Sequence, residues 1–176
     1  MIREEPRAGS ASGLGSGGEL ELFSAYLDFY RDTCVEKCRS LPAPELRVPR
    51  VPSGWTPLEL LQHLALMERR WFVWGFLGEP VDDPWADSGG DAEGRWQVDA
   101  GRGLEDVVAL LEEYAARTRS ILASHEPEAV ASTGGRFHDS EPPSLRWICF
   151  HVLQEYARHA GHLDISVELA GGHTGE

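Results

Sequence analysis

The chain has 176 residues, 41% of them hydrophobic and 26% charged, and its 16 basic against 29 acidic residues give a net charge of −13. That profile suits a globular fold with a sizeable core, and no apolar run approaches the roughly 18 residues that a membrane-spanning helix needs. Nucleic-acid or anionic-membrane binding is disfavoured, because counterion release requires clustered cations and the arginines here are scattered among carboxylates.

The first stretch, "MIREEPRAGSASGLGSGG", lacks the apolar segment of a secretory leader, and its Gly/Ser content predicts a flexible tail over residues 1–18. A single domain is expected over 19–176, in the cytoplasm. A first helix is predicted over about 20–39, with Leu22, Tyr26, Phe29 and Tyr30 at three-to-four-residue spacing. Cys34 and Cys38 on this helix read as small buried residues, since three cysteines in all, with no CxxC, make neither a disulfide framework nor a thiolate site. The prolines of "LPAPELRVPRVPSG" end the helix.

A second helix starts at "TPLE", where Thr56 is the N-cap, Pro57 fits the first turn and Glu59 closes a capping box; it runs until Gly78 and Pro80. A third covers about 103–124, and Ser144 caps a fourth that reaches Gly171 and Gly172. Four helices of roughly 20 residues, each with one apolar stripe, predict an all-α four-helix bundle. Between helices two and three, "GEPVDDPWADSGGDAEGRWQVDAGR" has no regular period. Such a loop is uncommon in a compact domain unless it crosses the bundle or serves a site, so helices two and three are expected to run parallel, joined by a long crossover. Its acidic positions Asp82, Asp83 and Asp87 read as a solvated run.

The fourth helix carries the stretch "HVLQEYARHAGH", with His151, Glu155, His159 and His162 inside an otherwise apolar segment. At about 100° per residue, Glu155 and His159 fall on or beside the apolar stripe rather than opposite it. A buried ionised glutamate needs a partner or a cation. On helix two, His63 also faces inward, on the stripe that carries Leu60 and Met67. Two readings stand: satisfied core histidines, or a mononuclear metal site, since two imidazoles and a carboxylate are a common catalytic zinc set with one position free. HExxH, HxxEH and the paired ExxH motifs of di-iron bundles are absent.

At these residues the chain resembles the DinB-like superfamily of metalloenzymes, in its actinobacterial mycothiol-dependent, maleylpyruvate isomerase-related branch. The matching stretches are "GWTPLELLQHLALMERRWFVWGFLGEP", "DDPW", "RW" and "LRWICFHVLQEYARHAGHLDI". The resemblance implies a four-helix bundle with a crossover between helices two and three. It also implies one divalent metal, zinc or nickel, held by His63, Glu155 and His159. His63, His159 and His162 form an alternative set, and His151 and His162 are otherwise expected to support the ligands.

By the same resemblance the chain is an enzyme that uses a low-molecular-weight thiol, mycothiol, as cosubstrate for S-transfer to an electrophile or for isomerisation through a thiol adduct. The alternatives are a metal-activated-water hydrolase and a non-catalytic, stress-associated interaction bundle with a structural metal. Exposed bundle faces suit a homodimer. Arg69, Arg70, Arg146 and Arg158 are candidates to meet a carboxylate, although solvated surface is their ordinary setting. The six tryptophans line a pocket mouth or bury apolar area, and core burial is the expectation for Trp71 and Trp147.

Overall fold

Helix starts follow local chemistry. In a computed structural model, which describes residue 6, residues 18–88 and residues 95–172, Glu59 N–H donates to Thr56 Oγ1 (3.3 Å) and Thr56 N–H to Glu59 Oε2 (2.8 Å), the predicted capping box. Trp147 N–H likewise donates to the Ser144 hydroxyl at 3.3 Å. The four helices are α1 (Gly18–Arg39), α2 (Pro57–Glu68), α3 (Leu104–Ser124) and α4 (Leu145–Leu169), with short 3₁₀ turns at Ala43–Arg47 and Gly135–Phe137. The expected N-terminal tail lies outside the described residues except residue 6 and Gly18, and Gly18 is already helical. Among the described residues there is no strand; Ser88–Trp96 and Val130–Ser144 are isolated bridges.

Beyond Glu68 the second helix does not stop but widens. Arg69–Phe76 is π-helical: Leu77 N–H reaches back five residues to Phe72 O at 3.1 Å. Gly78, at φ +67°, then ends it; a Cβ there would come within 2.4 Å of the Ser132 hydroxyl. The wider turn rotates the side chains after Arg69 away from the register an α-helical wheel assigns them.

Side-chain bridges fix the helix directions. Arg31 meets Glu68 and Cys38 meets Pro57 O, so α1 and α2 are antiparallel. Arg39 pairs with Glu105 and Asp28 with Arg119, so α1 and α3 are antiparallel too. Helices α2 and α3 are therefore parallel, as the long crossover requires. Glu19–Arg146 and Lys37–Asp164 make α1 and α4 parallel. The packed neighbours are α2 with α3, α1 with α4, α1 with α3 and α2 with α4.

The core is apolar at most positions, with Leu27, Leu60, Leu61, Leu64, Leu111, Ile148, Val152 and Leu163 fully buried. At its centre sits a polar exception built from all four helices. Glu68 (α2) accepts two bonds from Arg31 of α1 (2.7 and 2.8 Å), one from Thr118 of α3 (2.7 Å) and a short one from the Tyr156 hydroxyl of α4. Arg31 also donates to Asp28 at 2.6 Å. Burial, then the Glu68 charge, pushes the Tyr156 phenol well up, so it stays a donor. A charge at the bundle axis is tolerated only because every acceptor site is filled.

Candidate metal centre

Because α2 and α4 are antiparallel neighbours, their polar inward positions meet. His63 comes from α2; Glu155 and His159 come from successive turns of α4, four residues apart and stacked on one face. One donor atom from each lies within 4.8 Å of the others. His159 Nε2 stands 3.2 Å from Glu155 Oε2, and the His63 and His159 rings meet edge to face at 5.0 Å. Side-chain exposure is 12% for His63, 20% for Glu155 and 7% for His159, so the carboxylate is the most open of the three.

Each imidazole is held from behind. His63 Nδ1–H donates to Asp87 Oδ2 at 2.7 Å. Asp87 also accepts from both Arg70 terminal nitrogens, at 2.5 and 3.1 Å. Burial alone would raise the Asp87 carboxyl, but the bonds from His63 and Arg70 bring it below the usual carboxylate range, so it remains an anion. With Nδ1 committed, His63 Nε2 is buried and has no hydrogen-bond partner among the described residues. His159 turns its other nitrogen, Nδ1, to His162 Nδ1 at 3.3 Å. Burial, followed by the neighbouring His63 ring, lowers the His159 imidazole to about 4, so it is neutral at pH 7.

His162 is thus a support of His159 and is not one of the gathered donors, although Trp55 lies against it at 6.0 Å. His151 sits one turn before Glu155, with Nε2 3.9 Å from Glu155 Oε1, too far for a hydrogen bond. Burial lowers its pKa and favours the neutral ring.

The crossover serves this cluster. Asp87 and Trp96 are brought together by the Ser88–Trp96 bridge and a Gln97 N–H bond to Asp87 O at 2.9 Å. Trp96 then stacks on His63, with ring centroids 4.0 Å apart. Two expectations are corrected here. Asp87 is buried, unlike the exposed Asp82 and Asp83, because His63 and Arg70 draw it inward. Arg70 is likewise buried rather than solvated, and its partner is that same carboxylate.

A model of the mycothiol-S-transferase family matches residues 22–172. The chain belongs to this family. The matched span takes in α1 from residue 22 onward, the other three helices, the crossover and every residue of the cluster. No curated protein matches the chain.

Within the family's span, Trp147 departs from the expected arrangement. Trp147 is 51% exposed and is not a core residue, whereas Trp71 is half-buried and packed against the core. Both flank His151: Trp147 stacks on it at 5.4 Å and 10°, and Trp71 lies 4.1 Å away. Trp71 lies on the π-helical segment Arg69–Phe76. Trp147 stands on the first turn of α4, at the bundle's rim.

Proposed function

We propose that the chain transfers a mycothiol-type thiol to an electrophilic small molecule, with one divalent metal ion held by His63, Glu155 and His159. The observation that carries the metal reading is His63 Nε2. It is a buried acceptor with no partner, oriented by Asp87, beside a neutral imidazole and a carboxylate. A buried nitrogen left unpaired costs about 1–3 kcal/mol, a cost a coordinated cation removes. Three gathered donors leave a position for a ligand, whereas structural zinc sites are normally closed by four.

When bound, such an ion supplies Lewis acidity, which favours the thiolate form of a coordinating thiol. The chain's residues do the rest. Asp87 and Arg70 hold the His63 tautomer, and His162 holds the ring of His159. Trp96 covers the His63 face and excludes water from it. The chain's own cysteines do not compete as nucleophiles. Burial raises Cys34 and Cys149 to about 12 and Cys38 further, and all three are free and enclosed. The sulfur nucleophile is therefore a cosubstrate, for which the family name supplies mycothiol.

Incubation of metal-loaded protein with mycothiol and an electrophilic probe such as monochlorobimane is expected to give conjugate well above the uncatalysed rate, and chelator treatment should abolish the excess. No excess over background would favour a non-catalytic bundle. Hydrolysis of an ester probe without thiol consumption would favour the metal-activated-water reading.

Asp87 gives a second test. Asp87→Asn keeps the shape but removes the anion that orients His63. Metal affinity, read by competition with a colorimetric chelator, is expected to fall by about 10–100-fold, the usual effect of losing a ligand's carboxylate support. Unchanged affinity would remove His63 from the set.

A further inference from the structure

We propose that Gln62 is a positioning residue for the thiol-transfer site: acting through the end of the crossover, it holds the Trp96 indole across both imidazole donors and leaves the cluster open on the Glu155 side. This rests on the thiol-transfer reading and extends it to what keeps water from the position that the thiol takes.

On the inward side of α2, the fully buried Leu60, Leu61, Leu64 and Ala65 are interrupted by Gln62, His63 and Glu68. His63 belongs to the donor cluster and Glu68 to the central network, which leaves Gln62 to be explained. It is 2% exposed, and a buried amide needs a partner on each side. Gln62 Nε2–H donates to the Gln97 carbonyl at 2.8 Å, and Gln62 Oε1 accepts from Arg102 Nη1 at 2.8 Å. A carbonyl can only accept and a guanidinium only donate, so no carboxylate, cation or hydrocarbon chain in this place makes both bonds. Both ends of residues 97–102 are thereby tied to α2, one position from His63.

Residues 95–99 alternate: Trp96 and Val98 pack against the core, while residues 95, 97 and 99 are exposed. The backbone between those two inward side chains is held on both edges. Gln97 N–H donates to Asp87 O at 2.9 Å, and the Gln97 carbonyl takes the Gln62 bond. The residue directly after Trp96 is thus fixed by the carboxylate residue behind His63 and by the residue before His63. The indole stacks on His63 at 4.0 Å and meets the His159 ring edge-on at 5.3 Å. It lies across two of the three donors, whereas the third, Glu155, is the most exposed. A flat apolar cover there excludes water and leaves the carboxylate side free for a ligand. Arg47 grips the same loop from the solvent side, at the Asp99 and Arg102 carbonyls (2.9 and 2.6 Å), beyond Gln97.

The first test needs neither metal nor turnover. In chelator-treated protein labelled with 5-fluorotryptophan, the Trp96 fluorine resonance is assigned by its loss in Trp96→Phe. Gln62→Met is close in size but makes neither bond. It should shift the Trp96 resonance and increase its broadening by a soluble nitroxide, while Trp71, packed on His151 and Phe137, keeps its signal. An unmoved Trp96 signal, an equal change at Trp71, or an equal change in Arg47→Ala would overturn the proposal whatever the fate of the thiol-transfer reading. In metal-loaded protein, water admitted beside the imidazoles competes with the thiol. Gln62→Met should therefore raise KM for mycothiol about tenfold and leave kcat within about twofold. Trp96→Ala should do the same, and adding Gln62→Met to it should change KM by less than about twofold, since the cover is already gone. Effects that multiply in the double variant, or a fall confined to kcat, would also overturn it.

Discussion

Replacement of His159 by alanine is expected to yield a folded protein without its metal. Wild-type protein purified without chelator should carry about one divalent ion per chain and the variant less than about a tenth of that, because two donors do not hold an ion that three hold with one position open. The fold should survive, since the lost ring sits beside the central polar network and is not part of it: Glu68 keeps its bonds to Arg31, Thr118 and Tyr156. His162→Ala separates this from a general loss of polarity in α4. His162 touches His159 through Nδ1 and the ring edge and is not one of the gathered donors, so that variant should retain most of its metal and bind it more weakly. Equal metal in wild type and His159→Ala would end the proposed assignment; complete loss in His162→Ala would move His162 into the ligand set.

The largest effect on stability is expected from Arg31→Ala. Glu68 is fully buried, and among the described residues Arg31 is the one cation hydrogen-bonded to it. Without the guanidinium, a carboxylate at the bundle axis keeps only two hydroxyl donors. Breaking a buried pair from one side costs about 3–5 kcal/mol, a large part of the 5–15 kcal/mol that holds a typical domain together. Urea unfolding followed by circular dichroism measures it. Arg119→Ala is the control: Arg119 pairs with Asp28, which Arg31 also contacts, but is 41% exposed, so its loss should cost less than about 1 kcal/mol. A similar small cost for both variants would mean that Glu68 takes up a proton when Arg31 is lost.

Much of this was legible in the residues because the signals were periodic or local. Thr56, Pro57 and Glu59 announce a helix start by hydrogen bonds that need no tertiary partner. The long aperiodic crossover announces parallel α2 and α3 by distance alone. Wheel angles bring His63, Glu155 and His159 inward, and the side chains do meet. What was not legible lies in non-local pairing. Asp87 sits in an aperiodic acidic stretch, and nothing near it in sequence marks it as the partner of His63, 24 positions earlier. Glu68 and Arg31 read as ordinary charges of helices until their burial is seen.

The network around Glu68 also bears on how the chain acquires its structure. Each of the four helices supplies one part of it, so no pair or trio of helices satisfies that anion. A partly assembled bundle either leaves the centre wet or strands a charge in it, and both are unfavourable. The polar knot therefore penalises intermediates more than it strengthens the finished state, and it biases the chain towards cooperative, all-or-none assembly.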